Sequence, residues 1–138
     1  MTWLGYALLG ALAASATAIL AKIGLEGVPS NLAMAVRTTV VVALAWALVV
    51  ARHEQVALPA MSSRTWLALA LSGVATGASW LAYFKALSLA PAVRVAPVDK
   101  LSLVFTLALA WLILGEALTP RAIAGVILMA AGAILTLY

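Results

Sequence analysis

Three ionisable residues lie within long apolar stretches of this sequence: Arg37, Asp99 and Lys100. An ionisable side chain inside a membrane segment costs roughly 2.5 to 3.5 kcal/mol on insertion scales, so it usually faces protein or a water-filled cavity. A carboxylate such as Asp99 can take up a proton or bind an ammonium group, whereas Arg37 or Lys100 can bind a carboxylate. The three are therefore candidate residues of a substrate pathway, with Asp99 as the candidate for proton or ion coupling.

A structural role for the same charges is also open. Successive helical residues advance by about 100°, so Lys100 points away from Asp99 and the two neighbours cannot be assumed to pair. Arg37 is then a candidate partner for Asp99 across the helix bundle, in an ion pair that serves only the fold. Ser102 and Thr106 share the helix face of Asp99 and would lie along the same pathway.

Four polar residues mark one face of the predicted third helix. They are Ser72, Thr76, Ser79 and Tyr83, at spacings of four, three and four. Such spacings place side chains on one helix face, which we interpret as the wall of a substrate pathway. Trp80 and Phe84 beside it offer apolar or cation-binding ring faces. In the alternative interpretation, the hydroxyls bond back to their own helix and Tyr83 belongs to an interfacial aromatic belt.

Glycines and a proline shape the predicted helices. Gly73 and Gly77 form a GxxxG pair, a spacing that permits two helices to approach closely. Pro97 removes a hydrogen-bond donor, which predicts a kink in the fourth helix. It also leaves a backbone carbonyl near Val93 free to bind a ligand or water.

The remaining polar residues contain no pattern for catalysis. The chain has no cysteine, and its one histidine, His53, lies in a polar loop without other metal ligands. Glu26 and Glu54 are also expected in loops, and no nucleophile–base pair, glycine-rich phosphate loop or pair of carboxylates is present. We therefore expect no enzyme activity, no metal site and no cofactor.

The composition is that of a membrane protein. Hydrophobic residues make up 67% of the 138 positions and charged residues 9%, against about 45 to 50% and 25% in soluble domains. The net charge of +4 comes from basic residues scattered singly, which favours orientation in a lipid bilayer over nucleic-acid binding. No lysine or arginine precedes Lys22, so we expect the first apolar segment to be retained rather than cleaved as a signal peptide.

The apolar segments predict an all-α integral membrane protein with five transmembrane helices in a single domain, residues 1–138. A helix needs about 20 residues to cross the hydrocarbon. The predicted helices cover approximately residues 3–22, 31–51, 64–89, 91–114 and 120–137. The predicted helix caps are Ser30 or Asn31, Ser62 or Ser63, and Thr119 followed by Pro120.

The basic residues of the predicted loops are balanced between the two sides of the membrane. Five spans place Arg52, Arg64 and Arg121 on one side and Lys22, Lys85 and Arg94 on the other. Adding Arg37 and Lys100 changes three against three into five against three, a weak bias for the rule that orients membrane proteins. Such a chain could insert both ways and pair as an antiparallel homodimer with inverted-repeat symmetry. A single orientation is the alternative.

Several segments resemble the EamA repeat of the drug/metabolite transporter superfamily. They are Arg37, the segment from Tyr83 to Leu87 (YFKAL), Ala96-Pro97, Leu114-Gly115-Glu116 and the segment from Gly125 to Gly132 (GVILMAAG). The Leu-Gly-Glu triplet followed by the glycine-spaced last helix is the most specific part of the resemblance.

The resemblance implies a transporter. Typical members have ten spans in two inverted five-helix repeats and move metabolites, often amino acids or related compounds, outward across the inner membrane. This chain resembles one repeat alone, which implies an inverted homodimer, as in the related four-helix small multidrug resistance proteins. Those relatives rely on a glutamate in the middle of helix one. No acidic residue precedes Glu26 here, so their cation/proton exchange site cannot be transferred.

Glu116 and the last-helix glycines have a structural interpretation. Glu116 lies in the turn before helix five, where its carboxylate can accept hydrogen bonds from free amides at the helix start. Gly125 and Gly132 are expected to serve helix packing.

The expected function is secondary transport, with export of a small amphipathic metabolite across the cell membrane by alternating access. One alternative is multidrug efflux of lipophilic cations, for which Trp80, Tyr83 and Asp99 would be the attractive surface. The other alternative is a non-transporting accessory or assembly protein whose embedded charges serve only pairing.

Overall fold

The computed structural model describes residues 2–138, and within them the chain is all-helical. A 3₁₀ segment, Glu54–Ala60, follows the second of the α-helices. The α-helices are α1 (Trp3–Gly24), α2 (Ser30–Ala51), α3 (Ser63–Leu89), α4 (Ala92–Asp99), α5 (Ser102–Leu114) and α6 (Pro120–Leu135). The predicted all-α class is confirmed for this part of the chain.

Four segments of the described chain are long and apolar enough to cross a membrane. They are α1, α2, α3 and the segment Ala92–Leu114, which contains both α4 and α5. The predicted fifth span is shorter, because α6 has 16 residues. At a rise of 1.5 Å per residue α6 is roughly 24 Å long, against a hydrocarbon thickness of about 30 Å. A membrane-spanning role for α6 stays a prediction.

The single helix predicted over residues 91–114 is divided in the structure. Lys100 and Leu101 separate α4 from α5, and their amides donate to the carbonyls of Pro97 and Val98, each at 3.0 Å. Bonds that reach three residues back are those of a tight 3₁₀ turn. Pro97 itself supplies no amide hydrogen to the helical ladder. The expected kink is thus a change in hydrogen bonding on the C-terminal side of the proline.

Two helices begin at the predicted caps and one does not. The hydroxyl oxygens of Ser62 and Thr119 each accept the amide three residues later, at 3.1 and 3.2 Å. These bonds satisfy amides that have no partner inside the helix. The cap predicted for helix two is wrong, because α2 already begins at Ser30 after Pro29, which makes no side-chain cap.

The chain divides into two compact units. The central unit is Leu20–Ser88, and the terminal unit comprises the segments on either side of it. Buried apolar residues among those described are Ala21, Leu25, Phe84 and Leu87 in the central unit and Ala18, Val95 and Ala133 in the terminal unit. In the most apolar window of each membrane-length segment, only 0 to 6% of residues are buried. Most of the apolar surface must therefore be covered by lipid or by another protein.

Candidate functional site

Arg37 is held on two aromatic rings of the central unit. Its Cζ atom lies 4.2 Å from the centroid of the Trp80 ring and 5.5 Å from that of Phe84. Both distances fall within the range of about 6 Å for cation–π attraction, and a planar guanidinium stacks well on a ring. Phe84 is 2% exposed, whereas Arg37 and Trp80 are half-buried. The rings thus fix the arginine between α2 and α3 while part of it stays accessible. We call these three residues the arginine shelf.

The guanidinium of the shelf has no acidic partner in the central unit. The two carboxylates of that unit, Glu26 and Glu54, are exposed, and neither pairs with Arg37. Within the described part of the chain, the Arg37 N–H groups also donate no hydrogen bond. The predicted pairing of Arg37 with Asp99 would join residues of the two units and stays a prediction. A positive charge with unused donors is therefore available to a ligand.

The polar face of α3 lies beside the arginine shelf. Ser72 and Ser79 are exposed, and so is Thr76, whose hydroxyl donates to the Ser72 carbonyl at 2.9 Å. Tyr83 is half-buried. At about 100° per residue, this face points roughly 90° around the helix from the two aromatic residues of the shelf. The Thr76 hydroxyl bonds back to its own helix, as in the alternative interpretation. The exposed Ser72 and Ser79 add polar groups beside the arginine.

Lys22 joins the end of α1 to the end of α3. Its Nζ atom donates to the carbonyl oxygen of Leu87, 65 residues later, at 2.6 Å. Leu87 is fully buried and Lys22 half-buried. A cation is favourable at this place because the carboxyl end of a helix carries partial negative charge. Lys22, which was counted with the basic residues of the loops, therefore joins α1 to α3 through a hydrogen bond.

Asp99 and Lys100 pair with each other in the terminal unit. The Lys100 Nζ atom donates to Asp99 Oδ2 at 3.1 Å, with the two side chains 55% and 36% exposed. The sequence left this pairing open, because successive helical residues point in different directions. The long, flexible lysine side chain nevertheless reaches the neighbouring carboxylate. Lys100 and Leu101 lie between Asp99 and Ser102 at the turn between α4 and α5, and the common face of Asp99, Ser102 and Thr106 stays a prediction. The Thr106 hydroxyl donates to the Ser102 carbonyl at 2.9 Å.

Glu116 does not provide the expected cap of α6. That bond is made by Thr119, while Glu116 is exposed and its carboxylate bonds to no other described residue. Gly115 ends α5 with a left-handed φ of 68°, a conformation that favours glycine. The amides of Gly115 and Glu116 both donate to the Ala110 carbonyl. The turn therefore depends on the glycine rather than on the carboxylate.

No other part of the described chain packs closely against the helical glycines within a single copy. A Cβ atom added at Gly73, Gly77, Gly125 or Gly132 would meet nothing within 4 Å in the described part of the chain. The packing role predicted for these glycines is thus not fulfilled inside one copy. Their surfaces are open to lipid or to a second chain.

An apolar groove of ≈ 600 Å³ lies between α5 and α6 in the terminal unit. Its lining is apolar, with Trp111, Leu118 and Ile127 among the larger side chains. Ligand pockets combine an apolar lining with a few polar groups that orient the ligand. This groove has no such group, so it is a poor site for a polar metabolite.

The described part of the chain contains helices long enough to cross a bilayer, with a polar face on α3 and an arginine that has no acidic partner in its unit. These features define a multi-spanning membrane protein. Comparison with known proteins gives the family. The EamA-like transporter family model matches residues 1–138, and the chain belongs to this family. The resemblance inferred from short sequence segments is thereby confirmed.

A similar protein supports the same assignment. A protein of Sinorhizobium sp., described as an uncharacterized transporter in the cobO 3' region, is 47% identical over 134 residues. The match covers 97% of this chain and 95% of the relative. No solved structure gives a significant match. A transporter role and a multi-pass membrane location follow from the family.

Proposed function

We propose that this protein is a secondary transporter that exports a small amphipathic metabolite, such as an amino acid or a related compound, by alternating access. The proposal places it in the inner or plasma membrane as a single five-helix domain over residues 1–138. Membership of the EamA-like transporter family supports the transport role. The polar face of α3 and the arginine shelf supply groups that a polar metabolite needs on its way through a bilayer.

The observation that carries the proposal is the exposure of the α3 polar face in a single copy. Ser72, Thr76 and Ser79 are all exposed on a segment whose most apolar window is 6% buried. The Thr76 hydroxyl is bonded to its own helix, but those of Ser72 and Ser79 bond to no described residue and would be unfavourable in hydrocarbon. A second copy, inserted in the opposite orientation, would cover this face and enclose a pathway between inverted repeats. The functional unit we propose is therefore an antiparallel homodimer.

Further candidate residues lie in the terminal unit. Asp99 is the candidate for proton or ion coupling, since its carboxylate can be protonated or paired with Lys100. α6, which has no charged residue after Arg121, would serve packing or dimer contact. The proposed pathway residues are Arg37, Ser72, Thr76, Ser79, Trp80, Tyr83, Asp99, Lys100, Ser102 and Thr106.

Transport by the purified protein in liposomes tests this function. Radiolabelled amino acids should cross faster than in empty vesicles, and Asp99→Asn or Lys100→Met should slow them. Arg121→Gln, at an exposed position in the first turn of α6, is the matched control and should leave the rate unchanged. If no amino acid or related compound crosses faster than in empty vesicles, and the variants leave cell phenotypes unaltered, the accessory-protein alternative is favoured.

Orientation is tested separately with reporter fusions at the carboxyl terminus. Dual insertion predicts signals from both sides of the membrane, because the loop charges are nearly balanced. Signals from one side alone would contradict the antiparallel dimer and leave a parallel dimer or a heteromeric partner.

A further inference from the structure

We infer that the arginine shelf, Arg37 on Trp80 and Phe84, is the binding site for the carboxylate of the transported compound. The inference rests on the proposed transport function and deepens it by naming the substrate class. The substrate would be a small organic anion or zwitterion that presents a carboxylate, rather than a lipophilic cation.

The Arg37 guanidinium is positioned by the two rings but is not neutralised within its unit. Arg37 has no acidic partner in the central unit and donates no hydrogen bond to the described residues. Its ring contacts, at 4.2 and 5.5 Å, attract the cation without using its N–H donors. A planar guanidinium with free N–H groups is suited to a bidentate bond with a carboxylate. The rings therefore position the arginine, and its free N–H groups can bind the carboxylate of the ligand.

Arg37 lies inside the membrane-length helix α2 rather than at its end. Arg37 lies seven residues after the start of α2, which is roughly 10 Å along the helix. A charge at such a depth is costly unless it faces water or a counter-charge. A substrate carboxylate would supply the counter-charge while the substrate passes.

The face of α3 that carries the arginine shelf has open space beside two glycines. Gly73 and Gly77 precede Trp80 by seven and three residues, so they lie on the same face of the helix. A Cβ atom at either glycine would meet nothing within 4 Å. The surface next to the Trp80 ring is therefore open to a small molecule, with the hydroxyls of Ser72 and Ser79 on the neighbouring face.

The shelf also bears on the cation-efflux alternative. An aromatic ring attracts a substrate cation only if its face is available. The Trp80 and Phe84 rings already have the Arg37 guanidinium over them, and a second positive charge beside it would be repelled. The structure thus favours anions at this place.

The test compares two probes of matched ring size and opposite charge, benzoate and benzylammonium. Both are titrated into the full-length protein in phosphatidylcholine vesicles, with tryptophan fluorescence as the signal and Trp80→Phe to assign it. Benzoate should bind more tightly than benzylammonium. Arg37→Gln should weaken benzoate binding at least about tenfold, the usual effect of losing a hydrogen bond to a charged group, and should strengthen benzylammonium binding by uncovering the rings.

Two further variants keep the test decisive. Arg37→Lys retains the charge without the planar fork and should give intermediate benzoate affinity. Arg52→Gln, an exposed arginine just after α2, should bind both probes like the wild type. Circular dichroism confirms that each variant is folded. Equal binding of the two probes by the wild type, or unchanged benzoate binding by folded Arg37→Gln and Arg37→Lys, would overturn the inference.

Lipid and metabolite are distinguished by vesicle composition. An anionic lipid headgroup shares the chemistry of the ligand, so the titration is repeated with phosphatidylglycerol present. Unchanged benzoate affinity supports a metabolite site, whereas its loss shows that lipid fills the shelf and contradicts the inference.

The inference and the transport function can fail separately. Transport of an amino acid at wild-type rate by Arg37→Gln would disprove the shelf while leaving transport intact. Arg37-dependent benzoate binding without transport of any metabolite would support the shelf and contradict the transport function.

Discussion

The central and terminal units each contain embedded charge, and they stabilise it differently. Arg37 in the central unit contacts rings from another helix, 43 and 47 residues later in the chain. Asp99 and Lys100 in the terminal unit are neighbours in sequence and neutralise each other at the turn between α4 and α5. The first arrangement keeps a net positive charge and free donors. The second has no net charge.

This difference separates a charge whose hydrogen-bond donors are free from two charges that are already paired. Cation–π contacts leave the N–H groups of an arginine unused, whereas an ion pair engages both charges in one bond. A substrate that binds Asp99 or Lys100 must compete with the partner already present, at 3.1 Å. A carboxylate that binds Arg37 displaces no acidic group of the central unit. The comparison predicts that ligand selectivity depends on the central unit more than on the terminal unit.

The largest expected effect comes from Phe84, which joins the buried interior of the central unit to the arginine shelf. Phe84→Ala should reduce the free energy of unfolding by about 3 kcal/mol, because it leaves a cavity where the ring is 2% exposed. The control is Phe105→Ala in the terminal unit, where the ring is 69% exposed and the loss should be under about 1 kcal/mol. Reversible denaturation in SDS-containing mixed micelles measures both. Equal losses would show that the two units do not differ in this way.

The next effect concerns the bond between Lys22 and the Leu87 carbonyl. Lys22→Met should cost about 2 kcal/mol, the range for a hydrogen bond to a charged group, because the carbonyl loses a partner at 2.6 Å. Lys85→Met is the matched control, since Lys85 is exposed in the same part of α3. The same unfolding assay compares them. If the Lys22 and Lys85 variants are equally stable, the bond from Lys22 to the Leu87 carbonyl does not stabilise the contact between α1 and α3.

The two helix caps should be alike, because capping is a local effect. Ser62→Ala in the central unit and Thr119→Ala in the terminal unit each remove an acceptor for the amide three residues later. Each should lower stability by about 1 kcal/mol. Restoring an acceptor with Ser62→Asp or Thr119→Asp should recover most of the loss. A large difference between the two caps would show that tertiary contacts, rather than the cap bond, control one of these helix starts.

The smallest expected effect on stability belongs to Asp99 and Lys100. Exposed ion pairs contribute from zero to about 1 kcal/mol, and these side chains are 36% and 55% exposed. Asp99→Asn and Lys100→Met should therefore each change stability by under about 1 kcal/mol. If the pair acts in transport only as a pair, exchange of the two residues, Asp99→Lys with Lys100→Asp, should transport better than either single variant. A swapped protein no better than the single variants would show that Asp99 acts at its own position.

The sequence predicted most local features of the fold. The apolar segments placed the ends of the membrane-length helices within about two residues of their positions in the structure. The caps at Ser62 and Thr119 were also predicted, since a cap depends on residues three positions apart. The Leu-Gly-Glu and glycine-rich segments identified the family. All of these depend on spacing along the chain.

Predictions of side-chain partners were less successful. The sequence left the pairing of Asp99 with Lys100 open, and only the structure shows that the flexible lysine side chain reaches the neighbouring carboxylate. Glu116 was expected to cap α6 because of its position in the turn, but Thr119 is closer to the amides that need an acceptor. The reach of a side chain and its exact position in a turn decide such contacts.

The sequence by itself determined the membrane class, most of the helices and the family, and it supplied candidate residues for binding a charged solute. It singled out Arg37, Trp80 and Phe84 one by one, but only the tertiary structure placed the arginine on the two rings. The sequence likewise could not predict the hydrogen bond from Lys22 to the carbonyl of Leu87, 65 residues away. The physical reason is the range of the interactions. Helix formation and capping depend on neighbours within one or two turns, whereas the partner of an embedded charge depends on how separate helices pack.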